Sequence, residues 1–414
     1  MAKSAMTDHT SPTLWIVSLG MLHSALPMRS RRLAKNFTWI MVDFSKVKDL
    51  CGYDDGMNDS LASLTVSPKS AALFAARLLA WWQECGRHDL PWQIRDDDAE
   101  KRVWRVWVSE VMLQQTQVVT VIPYFLRFMQ RFPDVASFAR AHEDEVLAHW
   151  AGLGYYRRAR LLHAAAKQVV EQHSGIFPRD FAAALALPGL GRSTAGAVLA
   201  QAFDLALPIL DGNVKRVLAR YFALEGWPGS AAIERILWCH AEALMPSTRA
   251  ADYTQAMMDL GATLCTPRNP DCIRCPQAEF CLSKQSGRVS ELPTPRPRKV
   301  LPVRQVVMWL VEGEGGVLLQ RRPPVGIWPG LYSFPESAVG ERFPGIELIE
   351  ADECLPVMRH TFSHYHLDIF PRRARWNQRA ALVMDDDGLL WYKPKQSSVG
   401  VPAPVRRLLD LYVV

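Results

Sequence analysis

Cys265, Cys272, Cys275 and Cys281 form a C-x6-C-x2-C-x5-C run inside 17 residues of a chain that has eight cysteines. Four thiolates in a compact loop following a helical stretch can enclose a [4Fe–4S] cluster. Structural zinc also takes four cysteines, but its sites usually carry two C-x2-C pairs and this run has one. The remaining cysteines are scattered, which points to a bound metal centre in a reducing cytosol and away from a disulfide framework.

Two carboxyl groups stand out next. In Trp104–Gln117, which reads as helical, Glu110 shares a face with Val106, Trp107 and Gln114 at spacings of three and four. A carboxyl among apolar and aromatic neighbours tends to stay protonated, because burial penalises the anion. The alternative is a solvated surface glutamate, which the apolar flanks disfavour. Asp211 opens Asp211-Gly212-Asn213-Val214-Lys215-Arg216-Val217, where it is placed to N-cap a helix through Val214, Val217, Leu218 and Tyr221.

About twenty residues upstream, Leu187-Pro188-Gly189-Leu190-Gly191-Arg192-Ser193-Thr194-Ala195 resembles the hairpin of a helix-hairpin-helix element. Gly189 and Gly191 permit a tight turn, and the unpaired N–H groups of the next helix make a phosphate site that reads no sequence. A plain helix–helix turn is the other reading of such a segment.

The cysteine spacing matches the cluster loop of the endonuclease III/MutY superfamily of helix-hairpin-helix DNA glycosylases. Within it, Ser109-Glu110-Val111-Met112-Leu113-Gln114-Gln115-Thr116 resembles the MutY-type adenine glycosylases. The resemblance implies that Glu110 protonates N7 of a flipped adenine, and that Asp211 stabilises an oxocarbenium-like centre at the sugar C1′. Endonuclease III-type lyases carry a lysine where this chain has Ser193. The resemblance therefore implies a monofunctional enzyme with water as the final nucleophile, and places Ser193 and Asn213 in the catalytic group. It also implies that Gln115, Thr116, Leu153 and Tyr155 surround the opposite 8-oxoguanine, and that Gln255 lies near the adenine. The arginines after Tyr155 are expected on phosphate, as are Lys215 and the loop residues Arg268 and Arg274. Two departures lie at the edge of the adenine pocket. Residues 94–100 form a longer, more acidic stretch, and Trp104 stands where the family commonly has tyrosine.

Further along, Gly330–Glu336 opens a Nudix-like G-x5-E, but the Arg-Glu and Glu-Glu run that binds Mg²⁺ is missing, and residues 344–352 do not supply it. Phe362-Ser363-His364 resembles the lesion-facing loop of the MutY C-terminal domain, with Ser363 on the oxidised guanine and His364 near the backbone. His360, His364 and His366 at alternate positions are weighed as a metal site, without a carboxylate or cysteine to complete it.

These groups need two kinds of scaffold. Helical periodicity runs from Ser70, with stretches near 103–117, 119–130, 143–150, 157–173, 192–202, 214–224, 231–244 and 252–263, so this half is all-α. Residues 291–302, with four prolines and three basic residues, read as an extended linker. Beyond it come strand-like runs at Val303–Val311, Val317–Gln320, Thr361–Phe370 and Ala381–Met384, then a helix at Pro404–Tyr412. The expected organisation is multidomain. Residues 1–67 form a leader or an upstream start, 68–290 an all-α helix-hairpin-helix glycosylase domain with the [4Fe–4S] loop, 291–302 a linker, and 303–414 an α+β Nudix-like domain.

Composition agrees with this. The chain has 414 residues, 49% hydrophobic and 22% charged, with a net charge of +6. That balance is that of a soluble protein and fits a polyanion partner without establishing one, and no apolar run reaches membrane-spanning length. It is the resemblance that implies a cytoplasmic, monomeric enzyme on double-stranded DNA carrying adenine opposite 8-oxoguanine or guanine. Ser193 and the second domain argue against a glycosylase/lyase. The pair Glu110 and Asp211 argues against a non-catalytic iron–sulfur DNA binder, and the broken Nudix motif against a pyrophosphatase.

Overall fold

The computed structural model describes residues 66–94, 98–297, 300–313, 316–341, 343, 355–375, 388–393 and 399–413. The leader through residue 65, residues 344–352 and the run Ala381–Met384 lie outside the described residues, as do residues 95–97 of the acidic stretch.

The first part is helical: α1 Pro68–Cys85, α2 Ala99–Leu113, α3 Val118–Arg131, α4 Val135–Arg140, α5 Glu143–Trp150, α6 Arg157–Gln172, α7 Phe181–Leu185, α8 Arg192–Phe203, α9 Gly212–Tyr221, α10 Ala231–Leu244, α11 Ala250–Asp259 and α12 Leu282–Gln285. Three of these, α4, α7 and α12, are too short to show a helical period. Both α4 and α7 are started by an aspartate cap, Asp134 accepting from Ser137 N at 2.6 Å and Asp180 from Ala183 N at 2.8 Å. Asp98 caps α2 in the same way, accepting from Glu100 N and Lys101 N at 3.0 and 3.1 Å. The acidic stretch therefore ends as a helix start.

One group of buried side chains joins α2 to α8 around Trp104, Trp107, Phe128, Phe138 and Trp150. A second joins α1, α9, α10 and α11 around Phe74, Leu78, Leu218, Leu237 and Met257. Trp104 is 2% exposed and donates Nε1 to Phe132 O at 2.9 Å, so it belongs to the core and not to the pocket rim.

Helix α2 stops at Leu113, earlier than its periodicity predicts, and Gln115 takes a left-handed backbone at φ 59°. The cause is Arg158, whose guanidinium donates to Val111 O and Met112 O at 2.9 Å each, satisfying the open end of the helix. Helix α11 passes into a π turn at Leu260–Leu264, which delivers the chain to Cys265. Gly261 is required there, because an added Cβ would lie 2.6 Å from Asn213 Cβ.

The second part contains β1 Val303–Gly313, β2 Gly316–Arg321, β3 Tyr332–Ser333, β4 Glu336–Ser337, β5 Met358–Thr361, β6 His366–Arg375, β7 Leu389–Tyr392 and α13 Ala403–Tyr412. The sheet order is β3-β2-β1-β6-β5, with β4 on β1 and β7 on β2. Its central pair, β1 and β6, is parallel, in register from Val303↔His366 to Glu312↔Arg375. Val307–Val311 are buried in succession, as expected of a strand covered on both faces. The run Thr361–Phe370, expected as one strand, is instead split into an antiparallel hairpin. Phe362 N donates to Tyr365 O at 2.9 Å and leaves Ser363 and His364 at the exposed turn.

The two parts touch. Tyr156 Oη donates to Val401 O at 2.9 Å, Arg321 pairs with Asp144 at 3.0 Å, and Leu331 is buried in the helical core.

Candidate active site and DNA-facing surface

Helix α2 runs along α8, and this pairing sets the depth of Glu110. Gln201, on α8, donates Nε2 to Glu110 Oε1 at 2.7 Å. Burial pushes the Glu110 carboxyl up from 4.5 to about 7, the Gln201 hydrogen bond opposes that, and the neighbouring Asp211 charge adds to it. Near neutrality the group is poised between acid and anion, as a proton donor working at that pH should be.

Asp211 caps α9, accepting from Val214 N at 2.7 Å, and Asn213 Nδ2 reaches its other oxygen at 3.2 Å. Burial raises its carboxyl, while the Val214 and Asn213 hydrogen bonds and the Arg216 charge hold it down. Arg216 spans from this site to the cysteine loop, donating Nη2 to Asn213 Oδ1 at 2.8 Å and Nε to Cys265 O at 2.7 Å.

Beside the pair lies a cavity of about 400 Å³, lined among others by Trp82, Trp92, Val106, Gln201 and Gln255. Gln255 is 5% exposed. Its Nε2 donates to Asp259 at 2.8 Å, while its buried Oε1 has no partner among the described residues. Asp259 escaped the sequence analysis, although it stands one helical turn from Gln255. Its carboxylate also accepts from Trp82 Nε1 at 3.0 Å, Arg87 N at 2.9 Å and Arg87 Nη2 at 2.6 Å, which fastens the 86–93 loop over the cavity.

The hairpin has the required backbone. Gly189 sits at φ 81° with Leu161 Cβ 2.8 Å from where its own Cβ would be, and Gly191 caps α8 without a side chain, leaving first-turn N–H groups open. Gln114 Nε2 reaches Thr194 Oγ1 at 3.3 Å, so the end of α2 and the hairpin share one edge of the molecule. Gln115 and Tyr155 both project there with left-handed backbones, at φ 59° and 49°. Tyr155 is 57% exposed, whereas Leu153 is only 5% exposed and packs into the core.

All four cysteines line a single small cavity. None of the four is in a disulfide, and burial raises Cys275 to about 11 and lifts Cys272 and Cys281. Among the described residues, no three His, Cys, Asp or Glu side chains converge closely enough to hold one metal ion. A four-iron cubane instead gives each thiolate its own iron, and four thiols spread around one cavity fit that demand. Arg220 joins the loop to α9, donating Nη1 to Cys265 Sγ at 3.4 Å and to Thr266 O at 2.7 Å.

Residues 108–242 match the model of the HhH-GPD superfamily base excision DNA repair proteins, and residues 306–411 match the NUDIX domain. The adenine DNA glycosylase of Buchnera aphidicola subsp. Acyrthosiphon pisum is 35% identical over 347 residues, covering 82% of this chain and 97% of that one. The chain belongs to the adenine DNA glycosylase family. The Homo sapiens member is 45% identical over 223 residues, 53% of this chain and 41% of its own. A solved thermostable thymine-DNA glycosylase aligns with 53% of this chain and 98% of its own, at 27% identity and a TM-score of 0.47.

Several residues of this glycosylase have partners other than those its sequence suggests. Arg158 is 9% exposed and serves carbonyl groups, and Arg160 pairs with Glu143 at 2.7 Å, so neither is free for phosphate. Lys215 pairs with Glu234 at 2.8 Å and Arg274 with Asp271 at 2.6 Å. Ser193 Oγ accepts from Leu210 N at 3.0 Å, which anchors the residue before Asp211. In the second part, Glu336 of the G-x5-E pairs with Arg322 and takes Ser333 Oγ at 3.3 Å, an arrangement that occupies the carboxylate. His360 packs on Phe362 at 4.7 Å and His366 bonds Thr361 Oγ1 at 2.9 Å, which separates the three histidines.

Proposed function

We propose that the protein excises adenine lying opposite 8-oxoguanine, or opposite guanine, in duplex DNA, as a monofunctional glycosylase that starts base excision repair. The observation that carries the chemistry is Glu110, buried, hydrogen-bonded by Gln201 and raised to about 7 beside Asp211. In its acid form Glu110 gives its proton to adenine N7, so that the C1′–N9 bond breaks and the base leaves neutral. Asp211, as the anion, stabilises the positive charge that then develops at C1′. Asn213 holds its carboxylate and Ser193 fixes the segment leading into it. Water supplies the final oxygen, since no lysine at position 193 forms an imine.

The free Oε1 of Gln255 is an acceptor suited to the amino group of adenine in the lined cavity. Gly189, Gly191 and the open N–H groups of α8 bind phosphate, and Gln115, Thr116 and Tyr155 fill the space left by the flipped base. Phe362 supports the turn from which Ser363 and His364 meet the lesion. Cys265, Cys272, Cys275 and Cys281 hold one [4Fe–4S] cluster, which supplies a covalent fastening for the loop. Among the described residues no helix is long and apolar enough to cross a membrane. We take the enzyme to act as a cytoplasmic monomer.

The test is single-turnover excision on duplexes carrying adenine, thymine or cytosine opposite 8-oxoguanine. Only adenine should be released, leaving an intact abasic strand until alkali is added. Release of thymine at a comparable rate would overturn the reading.

A further inference from the structure

Arg158 is the second residue of α6, next to the Tyr155 loop, yet its donors reach the end of α2. Its Nη1 donates to Val111 O and Met112 O, each at 2.9 Å, and to Gln114 O. Its Nη2 reaches Thr116 Oγ1 at 3.3 Å and, at 3.4 Å each, Leu153 O and Gly154 O. Its own backbone N–H donates to Tyr155 O at 2.8 Å, and its guanidinium carbon stands 5.2 Å from the Tyr155 ring centroid. One side chain thus holds both the segment on either side of Gln115 and the segment leading to Tyr155.

Those are the two exposed side chains with left-handed, non-glycine backbones on this edge, at φ 59° for Gln115 and 49° for Tyr155. Such conformations persist only where the surroundings over-determine them. A planar fork of donors in fixed geometry can span two loops at once, which a single ammonium cannot.

We infer that Arg158 is a positioning residue that couples the two inserting side chains, so that Gln115 and Tyr155 enter the DNA stack as one unit. This rests on the reading of Gln115 and Tyr155 as residues that insert into DNA. It separates Arg158 from the neighbouring arginines: it contributes no phosphate contact, and its removal should leave the salt dependence of binding unchanged. Coupling of the two side chains makes partial insertion unfavourable.

The experiment is a double-mutant cycle on the full-length protein. The dissociation constant for a duplex bearing a non-cleavable adenine analogue opposite 8-oxoguanine is measured at one fixed salt concentration. Gln115→Ala, Tyr155→Ala and the double variant are compared, first with Arg158 and then with Arg158→Lys. With Arg158 present, each single change should weaken binding about tenfold. The double change should also stay near tenfold, well short of the roughly hundredfold product expected of independent sites. With Arg158→Lys the losses should multiply. If that variant does not fold, Thr116→Val, which removes one acceptor of the guanidinium, should lift the double-variant loss part-way towards the product. Multiplying losses while Arg158 is intact would overturn the coupling, and so would a coupling that survives Arg158→Lys. If neither single change affects binding, the insertion reading itself falls and the inference falls with it. A purely structural Arg158 would lower the melting temperature and leave the cycle unchanged.

Discussion

With Glu110 as the proposed acid, activity should be lost as pH rises through about 7, where its raised carboxyl ionises. Single-turnover excision should therefore show a falling limb there. Glu110→Gln should bind the mispair normally, lose that limb, and excise at least ~10²–10⁴-fold more slowly. Near-normal excision by the variant would remove Glu110 from the role of acid. The same shift has a signed effect on stability. Because the folded chain holds the Glu110 proton more tightly than the unfolded chain, folding is favoured less as pH rises from 4.5 to about 7. Glu110→Gln should consequently stabilise the protein at pH 8, on the order of 2 kcal/mol, and give no gain at pH 4, as chemical denaturation can measure. Gln255→Leu keeps the volume but removes the unpartnered Oε1 and the donor to Asp259. It should weaken adenine-duplex discrimination by about tenfold in the excision rate, at a hydrogen bond's worth of energy. The burial of Glu110 was legible in the sequence because helical spacing puts apolar residues around it. Asp259, Arg158 and Lys215 were not, because their partners Arg87, the end of α2 and Glu234 are separated from them in sequence, and charge alone does not tell a buried pair from a phosphate contact.

At the scale of elements, long helices and the hairpin follow from period and glycine placement, whereas ends are decided by tertiary partners. Helix α2 stops at Leu113 because a guanidinium caps it, and the strand expected through residue 365 breaks because Phe362 folds back on Tyr365. The hairpin's contribution to chemistry is also an element property. Ser193 Oγ holds Leu210 N at 3.0 Å, so the first turn of α8 positions the cap of α9. Ser193→Lys should therefore gain some strand cleavage and borohydride trapping while losing excision rate, because it removes that anchor as it installs an amine. Efficient strand cleavage by the unaltered protein, in step with base release, would contradict the monofunctional reading.

Across the whole molecule, the second domain is docked and does not hang on its linker: Leu331 enters the helical core, and Tyr156 reaches Val401 at 2.9 Å. That docking was not legible, since the Pro-rich stretch at 291–302 reads only as a spacer. It gives the Ser363–His364 turn a fixed position beside the helical part. Ser363→Ala with His364→Ala should leave excision of adenine opposite guanine within a factor of about two and reduce the preference for 8-oxoguanine about tenfold, as the loss of one or two hydrogen bonds implies. Equal loss on both mispairs would assign the turn to general binding.

The most direct test of the account is the single-turnover rate of adenine release, at one salt concentration, from duplexes that differ only in the base opposite: 8-oxoguanine, guanine or thymine. The account predicts fastest release opposite 8-oxoguanine, slower release opposite guanine and none opposite thymine. Equal rates on all three would contradict it.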